Sequence, residues 1–247
     1  MKKFIVIDGF DGSGKDTQSQ LVYKMYKNEI NRTNELNKIS ELNKADEANE
    51  NSEFNKISEL NKADEANENS EFNKTSENYI ANESIEKVVL RSTPETDNYF
   101  GLKSHEALLK EGKLSKIIAT IFFAFDTFRS LILYYRKADV LIFTRYLLAS
   151  AYFPTIMVKP VYKIFGFILP TSHFMFYLDL PPEIAMERIN SRSISNNQEI
   201  QSFENLDSLK KSREKASLIS NDWIIIDASK TKNEISDEIK NVLLKNN

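Results

Sequence analysis

The residues best suited to chemistry are Gly9–Lys15, GFDGSGK, in which three glycines and a lysine separate an apolar run from a polar one. A strand that ends in such a loop and feeds a helix makes an anion site. Gly9, Gly12 and Gly14 let backbone amides converge on phosphate oxygens, and the helix N-terminus adds its positive end. Lys15 reaches the terminal phosphates and carries charge compensation while a phosphoryl group moves. Gly9, Gly12, Ser13, Gly14, Lys15, Asp16 and Thr17 are therefore the candidate nucleotide-binding residues. Two carboxylates interrupt the pattern. Asp11 lies inside the loop, either turned toward a hydroxyl of the phosphate acceptor or acting as a turn residue. Asp16 stands where a neutral hydroxyl usually completes a magnesium shell. A carboxylate is also a hard magnesium ligand, and an acid in the first helical turn also suits the helix dipole.

The elements that must position these groups are legible as alternating apolar strands and helices. Strands are expected at 3–8, 87–92, 139–145, 173–180 and 223–229, and helices at 15–30, across 102–137 with a break near Gly112, from 146, at 182–192 and at 232–245. Continuous apolar strands alternating with helices predict an α/β fold, a central parallel sheet covered on both faces. Arg91 and Arg145 each leave the carboxyl end of an expected strand, the edge where open parallel sheets bind ligands. Asp179 ends another strand and serves either a site or a helix start.

Composition sets outer limits. The chain has 247 residues, 41% hydrophobic, with no cysteine and two histidines, which excludes disulfides, thiolate metal sites and a histidine-based metal cluster. The N-terminal apolar run stops at Asp8, too early for a signal sequence. Asp126, Arg129, Lys159 and Lys163 interrupt the later apolar runs, so the expectation is a cytoplasmic protein with no membrane partner. Residues 31–80 carry twelve acidic against six basic residues, whereas the whole chain is −3, so the remainder is mildly basic. That suits phosphate handling and is too weak to argue for nucleic acid.

The acidic segment is a tandem repeat. NKISELNKADEANENSEF at 37–54 recurs unchanged at 55–72, and a third copy starts at 73. Rich in Asn and Glu, it cannot build a core of its own. Its period of eighteen equals five helical turns, which leaves a fraying helix or helical hairpin open. It reads as an insertion at about 31–84 into one domain spanning 1–247.

In sum, GFDGSGKDTQ (9–18), LRSTPETDNYFG (90–101), FFAFD (122–126), FTRY (143–146), YLDLPPEIAMERINSR (177–192), FENLDSLKKSREKA (203–216) and WIIIDASKTKNEISDEI (223–239) resemble, in that order, the motifs of thymidylate kinase and the wider nucleoside-monophosphate kinases. The resemblance implies a three-layer α/β/α P-loop kinase fold and transfer of the γ-phosphoryl of ATP to a nucleoside monophosphate, first of all dTMP, with Mg2+ and commonly as a homodimer. It implies Lys15 on the transferring phosphate, Asp11 at the deoxyribose 3′-hydroxyl, Phe123 stacked on the base, and Arg145 on the acceptor phosphate with Arg91 assisting. Core or salt-bridge roles for Phe123, Arg145 and Arg91 are the ordinary readings of the same residues.

Departures from the family pattern sharpen the expectations. The family's Asp before the arginine is Thr144, and its arginine after the FAxD segment is Thr127, with Arg129 two positions on and on a different helix face. Because a carboxylate appears at Asp16 where a hydroxyl is lost, Asp16 and Thr144 are expected to exchange roles around magnesium. The lid is expected at about 188–203. Its loop 193–202 holds no Arg or Lys, so Arg192, with Arg188 one turn behind it, is the candidate charge-stabilising arginine, and Arg213 the reserve. A kinase for another nucleotide or a nucleoside, and a non-catalytic nucleotide-binding protein, are the competing readings.

Overall fold

The computed structural model describes residues 3–60, 87–110, 112–196 and 205–245, without the side chains of 41–60 and of residues 113, 116 and 196. The chain divides into two compact units, Met1–Tyr26 with Glu86–Asn247, and Lys27–Ile85.

The first unit is built on five strands, β1 (Lys3–Gly9), β2 (Val88–Ser92), β3 (Val140–Thr144), β4 (Phe174–Asp179) and β5 (Ile224–Asp227), in the order β2-β3-β1-β4-β5. All four pairings are parallel, as expected where every strand is followed by a crossover. The central strands are apolar on both faces: Ile5, Val6, Ile7 and all of Val140–Phe143 are fully buried. Edge strand β5 instead alternates exposed and covered positions. The strand ends lie within two residues of those expected from sequence, because long apolar runs leave little freedom in register.

Flanking helices are α1 (Lys15–Leu60), α2 (Tyr99–Leu108), α3 (Lys113–Tyr134), α4 (Thr155–Ile168), α5 (Pro182–Asn196), α6 (Leu206–Ser217) and α7 (Lys232–Lys245), with a 3-10 helix at Leu147–Tyr152. The helical expectation across 102–137 resolves into α2 and α3 on either side of Gly112. Asn98 caps α2 by accepting from the amides of Phe100 and Gly101. Gly101 is required by close approach, since a Cβ there would fall 1.7 Å from the Glu95 carbonyl oxygen. By composition α3 holds a stretch, Ile117–Tyr134, long and apolar enough to cross a membrane, which the sequence reading had not expected. Its Asp126 is fully buried and accepts from the Glu95 amide and Asn98 Nδ2, which ties this helix into the α2 layer.

The second unit corrects one boundary. Helix α1 does not stop at 30 but runs to Leu60, taking in the first repeat copy and the start of the second. No Gly or Pro occurs between 15 and 60 to stop it, and Leu, Lys, Glu and Ala favour propagation once a turn exists. Leu36 and Ile39 are more than half exposed. The remaining repeat residues, 61–86, lie outside the described residues.

Candidate active site

The glycine loop joins β1 to α1 at the carboxyl end of the sheet. Gly12 and Gly14 have φ of 83° and 86°, a region that favours glycine. A Cβ at Gly12 would strike the Ala185 carbonyl oxygen of α5 at 2.7 Å. At Gly14 nothing lies within 4 Å of that position, so the loop is open there to an incoming group. The Ser13 amide donates to Phe10 O at 3.0 Å, closing the turn, and the Ser13 hydroxyl is buried with no hydrogen-bond partner among the described residues. Gln18 Nε2 donates to Lys232 O at 2.9 Å and fixes the start of α1 against the start of α7.

Three charged groups converge at the loop. Lys15 is buried and its Nζ donates to Asp11 Oδ1 at 3.0 Å, while Arg145 Nη2 approaches the same oxygen at 3.5 Å. Lys15 first, then Arg145, hold the Asp11 carboxyl far below its ordinary range against the cost of burial. Arg145 Nη2 also lies 3.8 Å from Asp16 Oδ2. Asp11, expected to turn toward an acceptor hydroxyl, thus bridges the two cations of the loop mouth.

Arg145 is held in an unusual backbone conformation, φ 60°, which costs of order 1 kcal/mol for a non-glycine residue. Its neighbours fix it there. Thr93 Oγ1 donates to Arg145 O at 2.6 Å, and the amide of Tyr146 donates to Asp8 Oδ2 at 2.8 Å. Asp8 is a buried carboxylate whose other oxygen accepts the Gly9 amide at 2.8 Å. Burial pushes its carboxyl above the ordinary value, against the pull of those amides, Lys15 and Arg145. One side chain therefore orients both the glycine loop and the arginine loop. Sequence reasoning missed Asp8, because it looks like the ragged end of an apolar strand.

The magnesium-site expectation divides. Asp16 is largely exposed and accepts from Ser92 Oγ at 3.1 Å, so a carboxylate stands beside the open loop. With phosphate oxygens supplying most ligands, one carboxylate fits the way magnesium is held at nucleotide sites. Among the described residues no cluster of three or more His, Cys, Asp or Glu forms a protein-only metal cage. Thr144 does not share this position: it is fully buried, and its hydroxyl donates to Ser19 Oγ at 2.8 Å, one turn along α1 from Asp16. The structure sets Asp16 at the loop and Thr144 in the interior against Ser19, so it brings one member of the expected exchange to the open loop and not the other.

At the end of β2 Arg91 is buried and its fork is bidentate to Asp97, Nη1–Oδ2 2.8 Å and Nη2–Oδ1 3.1 Å, with Nε on Ser130 Oγ and the guanidinium over the Tyr134 ring. These partners engage all three nitrogens of the Arg91 guanidinium. Arg129 Nη1 lies 3.9 Å from Asp97, and Thr127 Oγ1 is buried with no hydrogen-bond partner among the described residues. Phe123 is half-buried; among the described residues it stands outside the ring cluster of Tyr99, Phe100, Phe122 and Phe125.

In α5, where the lid is expected, Arg188 Nη1 reaches Gly12 O at 3.4 Å, whereas Arg192 is exposed one turn further on. Helix α5 continues through 193–196 instead of ending at 192, and 197–204 lie outside the described residues. Arg213, the reserve, is committed to Asp179 in two bonds of 2.8 Å. Thr17 is exposed in the second position after Lys15.

No curated protein sequence matches the chain. The fold is similar to that of a solved thymidylate kinase from Candida albicans, described as having broad substrate specificity and a novel structural element. The TM-score is 0.62 at 13% identity, over 99% of this chain and 92% of that one. A sequence profile described as thymidylate kinase matches residues 72–239, beginning beyond the glycine loop. The loop geometry and the matched span, taken from different parts of the sequence, lead to one assignment: the chain belongs to the thymidylate kinase family.

Proposed function

We propose that this nucleoside-monophosphate kinase moves the γ-phosphoryl of ATP to a deoxynucleoside monophosphate, dTMP first. The observation that carries this reading is the convergence of Lys15, Asp11 and Arg145 on the open glycine loop. The loop amides and Lys15 bind the donor phosphates, and Arg145 holds the acceptor phosphate in line with them. An ionised phosphate is already a nucleophile, so the protein's task is to align two anions, offset their repulsion and exclude water. Asp16 is the residue that would hold magnesium beside the donor phosphates, where the ion would supply further charge neutralisation. Arg188, already on the loop carbonyl, and Arg192 bring positive charge from the lid helix, and Phe123 supplies the face for the base. A homodimer through α3 is consistent with the exposure of Leu114, Ile117, Ile121 and Ile132 along it.

A broader acceptor range is favoured by one observation. Arg91 is engaged by Asp97 and position 127 is a threonine, so the acceptor phosphate rests on Arg145 with little redundancy. The description of the Candida albicans enzyme as broad in specificity is in keeping with this. The test is a panel of dTMP, dUMP, UMP, CMP, AMP and nucleosides with ATP and magnesium, read by ADP release. Turnover with dTMP above the other acceptors supports the first reading, comparable turnover across several monophosphates the second. ATP binding without acceptor-dependent ADP release overturns both.

A further inference from the structure

The last two residues of β2 turn to opposite faces of the sheet, as consecutive strand residues must. Arg91 points to α3, where Ser130 and Tyr134 receive it. Ser92 points to α1, and its hydroxyl donates to Asp16 Oδ1 at 3.1 Å. The β2–β3 register sets Ser92 beside Thr144, whose hydroxyl also meets α1, at Ser19. Two strand-end hydroxyls therefore face the start of one helix, at different depths. Thr144 is fully buried, whereas Ser92 is half-buried and Asp16 is exposed beside the open glycine loop. The backbone that delivers Ser92 is fixed: its amide donates to Glu95 Oε1 at 2.6 Å, and the next amide, of Thr93, donates to Thr144 O at 3.2 Å.

The pair has the chemistry of a hard-cation site. A hydroxyl that gives its hydrogen to a carboxylate keeps lone pairs for a metal. The two oxygens of Asp16 are divided, Oδ1 toward Ser92 and Oδ2 at 3.8 Å from Arg145 Nη2. Magnesium takes octahedral oxygens at about 2.1 Å, so neighbouring ligands stand about 3.0 Å apart. The spacing of Ser92 Oγ and Asp16 Oδ1 already has that size. We propose that Ser92 supplies the hydroxyl that position 16 lacks, and that with Asp16 it forms a pair of protein oxygens for the magnesium of the donor phosphates. This inference rests on the reading of Asp16 as the magnesium residue and adds a ligand from a different strand. The ion would then join the first turn of α1 to the end of β2.

Manganese is the probe, bound to the full chain together with a non-hydrolysable ATP analogue. Broadening of its electron paramagnetic resonance signal in water enriched in oxygen-17 counts the waters on the ion. Ser92→Ala should add one water to the wild-type count, because a water takes the place of the hydroxyl. Ser92→Thr keeps a hydroxyl and should leave the count as in wild type. Ser92→Cys should lower magnesium-supported turnover about ten-fold or more and recover most of it in manganese, since a thiol suits magnesium poorly. Emission of the single tryptophan, Trp223, shows that each variant stays folded. A wild-type count in Ser92→Ala, or a loss in Ser92→Cys that is equal in both metals, overturns the proposal. Asp16→Ala separates it from the reading beneath it. A raised count there with none in Ser92→Ala removes Ser92 alone, whereas a wild-type count in Asp16→Ala removes the magnesium role of Asp16 and this inference with it.

Discussion

Two arginine–aspartate pairs lie near the carboxyl edge of the same sheet and do opposite things. Arg145 meets Asp11 at 3.5 Å, with backbone strain at the arginine and a neighbouring lysine sharing the same carboxylate. Arg91 meets Asp97 through two shorter bonds, with Ser130 and Tyr134 engaging the rest of the guanidinium. The first pair is loose, cation-rich and open, so its charge is available to a ligand. The second is complete in itself and braces β2 against the turn before α2 and against α3. Charge and strand-end position do not separate them in the sequence; what separates them is how many donors are already used.

The largest effect that sharpens this contrast is expected at Lys15. Lys15→Met should lower kcat by about 10³-fold or more in an ADP-release assay, since it removes a buried charge aimed at the transferring group. Arg145→Ala should cost roughly 10²–10³-fold, and Arg145→Lys should recover little, because an ammonium lacks the planar fork. Full activity in the lysine variant would reduce Arg145 to a general positive charge. Asp16→Ser should reduce the magnesium-dependent rate about ten-fold or more, and adding Thr144→Asp should not restore it, because Thr144 faces Ser19. Rescue in that cycle would reinstate the exchange of roles.

Smaller effects are expected on the braced side. Arg91→Ala should lower stability by roughly 1–3 kcal/mol in urea unfolding while changing the acceptor KM little. A ten-fold rise in that KM at unchanged stability would move Arg91 into the site. The hydrogen bonds from Arg91, ahead of that from Asn98, hold the Asp97 carboxyl at about 2. A carboxyl depressed on folding contributes stability that is present above its unfolded value of about 4 and lost as pH falls toward the folded one. Wild type and Asp97→Asn should therefore differ in Tm at neutral pH and converge as pH falls to about 2.

Much of this was legible in the sequence, for a physical reason. A strand buried on both faces must be apolar throughout, and a phosphate loop must contain its glycines, so β1, β3, β4 and residues 9–15 announce themselves. Asp8 did not, because one of the two amides it accepts comes from Tyr146, 138 residues away. The capture of Arg91 by Asp97 depends on how the 93–98 turn folds back, which spacing does not encode. The repeat reads as a segment with no core of its own, and that reading is uninformative about a helix that simply continues.

The left-handed backbone at Arg145 has a further consequence. It is maintained by a hydroxyl from the segment after β2 and a carboxylate from β1, two pieces of chain separated by the whole repeat. An incompletely paired sheet therefore lacks the means to keep that residue in place, and gain of catalytic competence during refolding should trail the recovery of helical signal, arriving only once the edge strand has docked.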